Sequence, residues 1–210
     1  METPNQPYPV SLTVDYPERP RNRVSVFFRL FAAIPIAIVL FGLIGHGWHS
    51  DAARRGVEYA SAGFVVASTL LMILFRQKYP RWWFDWNLNL NRFLFRVSAY
   101  VGLLRDEYPS TDEEQAVHLD VTYPDVKTEL NRWLPLVKWF LAIPHIIVLF
   151  FVDIAAYICV IIAWFSILFT GRYPRTLFDF VVGVMRWQAR VVWYAVLFAT
   201  DKYPPFSIEA

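Results

Sequence analysis

Hydrophobic residues form four long runs along the chain. They cover residues 24–45, 57–75, 134–151 and 154–171. A helix needs about 20 mostly apolar residues to cross roughly 30 Å of hydrocarbon, so each run is long enough, or nearly so, for one transmembrane helix. The last two runs are almost continuous and together exceed one ordinary span, so we expect a tight turn at Val152 and Asp153. The pattern predicts two transmembrane hairpins.

Shorter runs alternate between apolar and polar residues, which is typical of strands. They occupy residues 10–14 and 117–121, and the C-terminal PFSIEA alternates in the same way. A two-stranded sheet is marginal on its own. We therefore expect these strands to pair with one another in a small cytoplasmic sheet.

Two further helices are predicted over residues 82–104 and 176–200. At about 100° per residue, the charged side chains of each helix fall on one narrow stripe of a mostly apolar cylinder. Two arginines near the centre of a membrane would each cost roughly 2.5–3.5 kcal/mol. The sequence therefore predicts that both helices lie in the cytoplasmic interface. The stripe consists of Asp85, Arg92, Arg96, Asp179, Arg186 and Arg190.

The stripe has three possible roles. Each Asp could pair with an Arg, including the Arg of the other helix, and so link the two halves of the chain. The arginines could instead bind anionic lipid headgroups, because a guanidinium binds phosphate through two parallel hydrogen bonds. They could also meet the acidic surface of a partner protein.

The chain repeats itself. VSLTVDYP, RLFAAIPIAIVLF and YPRWWFDW recur in the same order as VHLDVTYP, KWFLAIPHIIVLF and YPRTLFDF. We interpret the halves, residues 1–112 and 113–210, as tandem repeats that lie in the membrane the same way up, about a pseudo-two-fold axis along its normal. The predicted fold class is an all-α membrane protein with a small cytoplasmic β element.

Each half contains a Tyr-Pro-Arg motif before its amphipathic helix. Proline fixes φ and favours an extended conformation in the preceding residue, and tyrosine favours the interfacial belt, where its hydroxyl is solvated. We expect two hinges at headgroup depth, with a binding notch for peptide or lipid as the alternative. The hinge residues are Tyr79, Pro80, Arg81, Tyr173, Pro174 and Arg175.

The apolar runs also contain aligned prolines, Pro35 and Pro144, which predict helix kinks. Symmetry-related broken helices are typical of transporter sites, so a small transporter or channel is one alternative function. Arg29 and Lys138 also align, and we expect them to reach the cytoplasmic interface by snorkelling.

Composition supports a membrane location. The chain is 56% hydrophobic and 18% charged, whereas soluble domains are about 25% charged. Outside the predicted spans, residues 1–23, 76–133 and 172–210 carry three, eight and five Lys and Arg, against two in the remaining loops. By the positive-inside rule, these three segments and both termini are cytoplasmic.

Few residues suggest chemistry. A single cysteine, Cys159, excludes a disulfide framework, and His46 and His49 with Asp51 lack the ligands that would complete a metal site. We interpret His145 as a hydrogen-bonded packing residue. No catalytic motif is present and no basic run indicates nucleic-acid binding, so we expect no metal, no cofactor and no enzymatic activity.

The segment from Tyr173 to Glu209 contains Tyr-Pro-Arg, Phe-Asp-Phe, Arg-Trp and Asp-Lys-Tyr-Pro-Pro-Phe in succession. This succession resembles the DUF4389 family of small bacterial membrane proteins. The resemblance covers nearly all of residues 117–210 and is looser in the first half, which keeps Arg92, Arg96 and Tyr100. It implies a membrane location and this architecture, but no assigned activity.

These observations lead to one main hypothesis. We expect a non-enzymatic, multi-pass protein of the bacterial inner membrane, which is an accessory or scaffold subunit. Its expected partners are the phospholipid bilayer and either a larger membrane complex or further copies of itself. The alternatives are the small transporter and, ranked lowest, a lipid-modifying enzyme.

Overall fold

The structure is a computed structural model that describes residues 8–38, 66–111 and 113–209. It is mostly helical, with one two-stranded sheet. The strands are β1 (Val10–Val14) and β2 (Val117–Val121). The helices are α1 (Arg23–Phe27), α2 (Arg29–Ala32), α3 (Val66–Arg76), α4 (Arg81–Val101), α5 (Leu134–Thr170) and α6 (Arg175–Ala195).

The predicted pairing of the two strands is confirmed. β1 and β2 are antiparallel, with Leu12 opposite Leu119 at the centre of the register. Both leucines are buried. Along each strand, the residues that alternate with the buried positions are exposed, as the sequence pattern predicts. The strand expected in the C-terminal PFSIEA is wrong, because residues 206–209 form no ladder and their carbonyl groups instead accept hydrogen bonds from α6.

The turn predicted at Val152 and Asp153, between spans 134–151 and 154–171, is wrong. α5 is one continuous helix of 37 residues. Neither position is a glycine or proline that would end a helix, and the Asp153 carboxylate accepts a hydrogen bond from Gln188 of α6 at 2.8 Å. The polar side chain therefore finds its partner without the chain leaving the helix.

α4 and α6 correspond to the two predicted amphipathic helices but end earlier than expected. Each begins directly after a proline, Pro80 or Pro174, whose φ of about −60° suits the first turn. Each is followed by a residue with positive φ, Leu103 or Phe198, which turns the chain away from the helix axis.

The predicted spans 24–45 and 57–75 lie partly outside the described residues. The described part of the first consists of α1, α2 and helical residues 34–38, interrupted by turns at Phe28 and Ala33. The described part of the second is α3. Within the described ranges, α5 is the one helix that is long and apolar enough to cross a membrane.

The core is built from both halves. α6 packs against β1 and α4 packs against β2, so each amphipathic helix covers the strand of the other half. Phe84, Phe178 and Trp193 belong to the same buried cluster as the paired leucines.

A proline at position 153 tests the continuity of α5. Asp153→Pro should lower the free energy of unfolding by about 3 kcal/mol or more relative to Asp153→Ala, because it removes an internal hydrogen bond and clashes with the preceding turn. The matched Ala variant also loses the Gln188 contact. The difference in stability between the two variants therefore measures the effect of proline on the helix backbone. Thermal unfolding in mild detergent measures it; equal stability of the two variants would indicate a turn.

Candidate functional site

The central arginine of each stripe contacts the strand of the other half. Arg186 of α6 donates from Nε to the Leu12 carbonyl at 3.0 Å, and Arg92 of α4 donates from Nε to the Leu119 carbonyl at 2.9 Å. Backbone hydrogen bonds join Asp15 to Ala116 and Thr122 to Pro9. Hydrogen-bonded and non-hydrogen-bonded pairs alternate along an antiparallel ladder, so Leu12 and Leu119 form a non-hydrogen-bonded pair. The carbonyl groups of such a pair point to the outer edges of the sheet. Each arginine therefore satisfies the open edge of a strand.

The outer arginines hold the segments that follow each helix. Arg190 donates to the carbonyls of Ser207 at 3.3 Å and Glu209 at 2.8 Å, and Arg186 also donates to that of Ile208 at 2.9 Å. Arg96 donates to the Ser110 carbonyl at 2.8 Å. Burial lowers the pKa of Arg186 and Arg190, but a guanidinium remains charged in proteins. The contacts therefore favour a role of the stripe in joining the halves.

The two aspartates of the stripe contact their own hinges instead. Asp85 lies 3.3 Å from Arg81 and Asp179 lies 3.2 Å from Arg175, in each case one helical turn away and exposed. Pairing of these aspartates with arginines of the opposite helix is therefore not observed. Exposed pairs of this kind contribute about 0.3–0.5 kcal/mol.

The hinge tyrosines are buried, so the expectation of solvated hydroxyl groups is wrong. Tyr79 and Tyr173 are 2% and 1% exposed. Their backbone carbonyls accept hydrogen bonds from tyrosines of the other half: Tyr16 donates to Tyr173 at 2.6 Å, and Tyr123 donates to Tyr79. The Tyr-Pro dipeptides after the strands therefore lock onto the Tyr-Pro-Arg hinges.

The hinge arginines complete the same contact. The guanidinium of Arg175 lies 4.6 Å from the ring centroid of Tyr16, and that of Arg81 lies 4.7 Å from that of Tyr123. Such cation–π contacts contribute roughly 0.5–2 kcal/mol, depending on desolvation. The two hinges have nearly the same geometry, so the Tyr-Pro-Arg motif has a structural role at both ends of the sheet.

The ion pairs of two buried cations, Lys138 and Arg29, were not predicted. Lys138 is fully buried and lies 2.7 Å from Asp201, and the buried Arg29 guanidinium contacts Asp106. Both cations point into the protein, so the expectation that they snorkel is wrong. The aligned DKYP and DEYP segments, which supply the two aspartates, are the signal that could have identified the pairs.

His145 is a packing residue, as expected. It is fully buried, accepts a hydrogen bond from Trp187 Nε1 at 3.1 Å and stacks on Phe206 at 3.9 Å between ring centroids. The adjacent Pro144 lies within the continuous α5, and Pro35 lies in helical residues 34–38. The aromatic side chains of Trp187 and Phe206, which contact His145, thus pack beside Pro144, where the sequence predicts a kink.

α5 contacts the rest of the protein through one side of the helix. At about 100° per residue, its buried residues span an arc of about 80°, which faces α6 and, toward the C-terminal end of α5, α1. The two charged residues of α5, Lys138 and Asp153, lie on this arc and point toward α6. The remaining surface, which we call the apolar face of α5, includes Phe140, Phe151 and Phe169, each more than 60% exposed.

Metal ligands do not cluster in the described ranges: no group of three or more His, Cys, Asp or Glu there could hold an ion. His46, His49 and Asp51 lie outside the described residues.

In the part of the chain that the structure describes, these features define a helical protein whose long apolar helix, α5, is largely uncovered and packs against a layer in which the two halves are joined by crossed contacts. Residues 133–207 match the model of a domain of unknown function, DUF4389. The match spans α5, α6 and most of the C-terminal segment, and it confirms the family resemblance there. No curated protein and no solved structure matches the chain.

Removing the Arg186 contact should weaken the link between the halves. Arg186→Gln should lower the free energy of unfolding by about 1–3 kcal/mol, because it leaves two partly buried carbonyl groups without their charged donor. The control is Arg19→Gln, which removes an exposed arginine from the segment between β1 and α1 and should cost much less. Denaturant unfolding measures both; equal effects would contradict a specific contribution from the edge contact.

The two crossed tyrosines can be tested separately. Tyr16→Phe and Tyr123→Phe should each cost about 1 kcal/mol, since each removes one donor to a hinge carbonyl. The double variant should show nearly additive losses, because the hinges share no partner. Tyr157→Phe, at an exposed position, is the control, and unfolding midpoints that match this control would refute the role of the hydroxyls.

Proposed function

We propose that this chain is a non-enzymatic protein of the bacterial inner membrane that works as an accessory or scaffold subunit. The observation that carries the proposal is the apolar face of α5. Eighteen large hydrophobic side chains of this helix are exposed, whereas soluble proteins rarely expose a contiguous apolar patch above a few hundred Å². Burying each such side chain contributes about 1.5–3 kcal/mol, so lipid is the solvent that suits this surface.

The distribution of charge supports a cytoplasmic location for both termini. The segments before, between and after the apolar runs carry sixteen of the eighteen Lys and Arg that lie outside the predicted spans. The positive-inside rule assigns such segments to the cytoplasm. The partners we propose are the phospholipid bilayer and a larger membrane complex or a second copy of the chain.

A scaffold role fits the packing better than transport. Transport needs a polar path beside a broken helix, but Pro144 leaves α5 continuous, and His145, Trp187 and Phe206 pack closely beside it. The arginines of the stripe donate to carbonyls of the protein itself, and their edge contacts maintain the architecture. The proposed function is therefore to present a stable surface at the membrane.

Chemical cross-linking in native membranes tests the scaffold role. The full chain, cross-linked in cells and purified in mild detergent, should yield a defined adduct with the same membrane protein, or with a second copy, in independent preparations. Mass spectrometry identifies the adduct. Recovery of the monomer with lipid alone, at high cross-linking yield, would contradict a scaffold or accessory role.

Membrane binding should depend on the apolar face. Replacing Ile147 and Phe151 with Asp should shift the protein from the floating liposome fraction toward the soluble fraction, since it replaces two large apolar side chains, whose burial in lipid contributes about 1.5–3 kcal/mol each, with charges. Both side chains are exposed, so the fold should persist.

The matched control replaces Thr13 and Thr122 with Asp, because both are uncharged polar residues at exposed positions and the net charge changes by the same amount. This variant should float like the unaltered protein. Equal flotation of the two variants would contradict lipid contact by α5.

A further inference from the structure

We infer that α5 lies along the membrane, within one leaflet, and does not cross it. The inference rests on the proposed membrane location and specifies how the protein sits there. α5 has 37 residues and is therefore about 55 Å long, whereas the hydrocarbon is about 30 Å thick. An upright α5 would leave about 25 Å of its apolar face in water.

The second observation is that the rest of the protein contacts α5 along its whole length. We call this part, which includes α6, the sheet and the segments around Arg21 and Asp201, the polar layer. Near its start, Lys138 binds Asp201; at its middle, Asp153 binds Gln188. At its end, the Gly171 carbonyl accepts a hydrogen bond from the backbone of Arg21 at 2.8 Å. A crossing α5 would carry this layer across the bilayer with it.

The layer ends in a polar surface on the side away from α5. β1 packs its buried face against α6, and α6 in turn packs against α5. The opposite face of the sheet exposes Ser11, Thr13, His118 and Asp120. Hydrocarbon contains no water to solvate these groups. Orienting α5 in the plane of the membrane places the sheet in water and the apolar face of α5 in lipid.

Charge at the two ends of α5 fits an anionic bilayer surface. Arg132 precedes the helix and Arg172 follows it, and both are exposed. Between them, Lys138 and Asp153 are turned inward, so the exposed surface of α5 carries no charge. With α5 in the plane, both end arginines reach the same layer of headgroups, to which anionic lipids attract cations. The occupant of the apolar face is therefore the acyl region of an anionic leaflet.

Spin-label depth measurements distinguish the two orientations. In a Cys159→Ser background, a nitroxide is attached at Leu136→Cys, Ile147→Cys or Phe165→Cys, and as a polar reference at Thr13→Cys. The three α5 positions are exposed and lie within about 20° of one another around the helix at 100° per residue. The full-length protein is reconstituted in liposomes of phosphatidylcholine and phosphatidylglycerol, and collision with oxygen and with a water-soluble nickel complex is compared at each site.

The inference predicts that the three α5 labels have the same depth within about 5 Å, one helical turn, and that the Thr13 label is in water. A label at Ile147 about 15 Å deeper than the other two, half of the hydrocarbon thickness, would overturn the in-plane orientation and leave the membrane location intact. Full water exposure of all three would overturn both. Spin–spin broadening with little access to either reagent would mean that a second copy covers the face, which also overturns the inference.

Discussion

The exchange of strands between the two halves is the constraint on which the rest of the structure depends. A two-stranded sheet has two open edges, and each edge presents carbonyl groups that need donors. Here the helix that covers β1 comes from the second half and the helix that covers β2 comes from the first. Arg186 and Arg92 complete the two edges at equivalent carbonyls. In this arrangement, neither half supplies the arginine donor for the edge carbonyl group of its own strand.

The same exchange explains the recurrence of Tyr-Pro. A tyrosine that follows each strand donates to the carbonyl of the hinge tyrosine in the other half, and the hinge arginine lies over its ring. Proline sets the direction of the chain at each crossing. The aligned sequence blocks and these matched contacts support tandem duplication as the origin of the two halves, which we propose.

Much of this architecture could be predicted from the sequence, and the missing parts have physical reasons. Period-two alternation predicted β1 and β2, and proline predicted the starts of α4 and α6. The continuity of α5 was missed because side chains that face lipid and those that face protein are both apolar. Its polar residues carried a usable signal: Lys138, His145 and Asp153 fall within about 80° of arc when the helix is continuous. The arginine contacts could not be predicted, because a carbonyl acceptor leaves no mark in the sequence.

Strand exchange is tested most directly by a disulfide across the sheet. Ser11 and Asp120 are register partners on its exposed face, and their expected Cα separation of about 5.5 Å is within the range for a disulfide. In a Cys159→Ser background, Ser11→Cys with Asp120→Cys should form a bond within one chain, whereas Ser11→Cys with His118→Cys, which are not opposite each other, should form far less. Absence of the first bond, or its formation only between chains, would contradict the account.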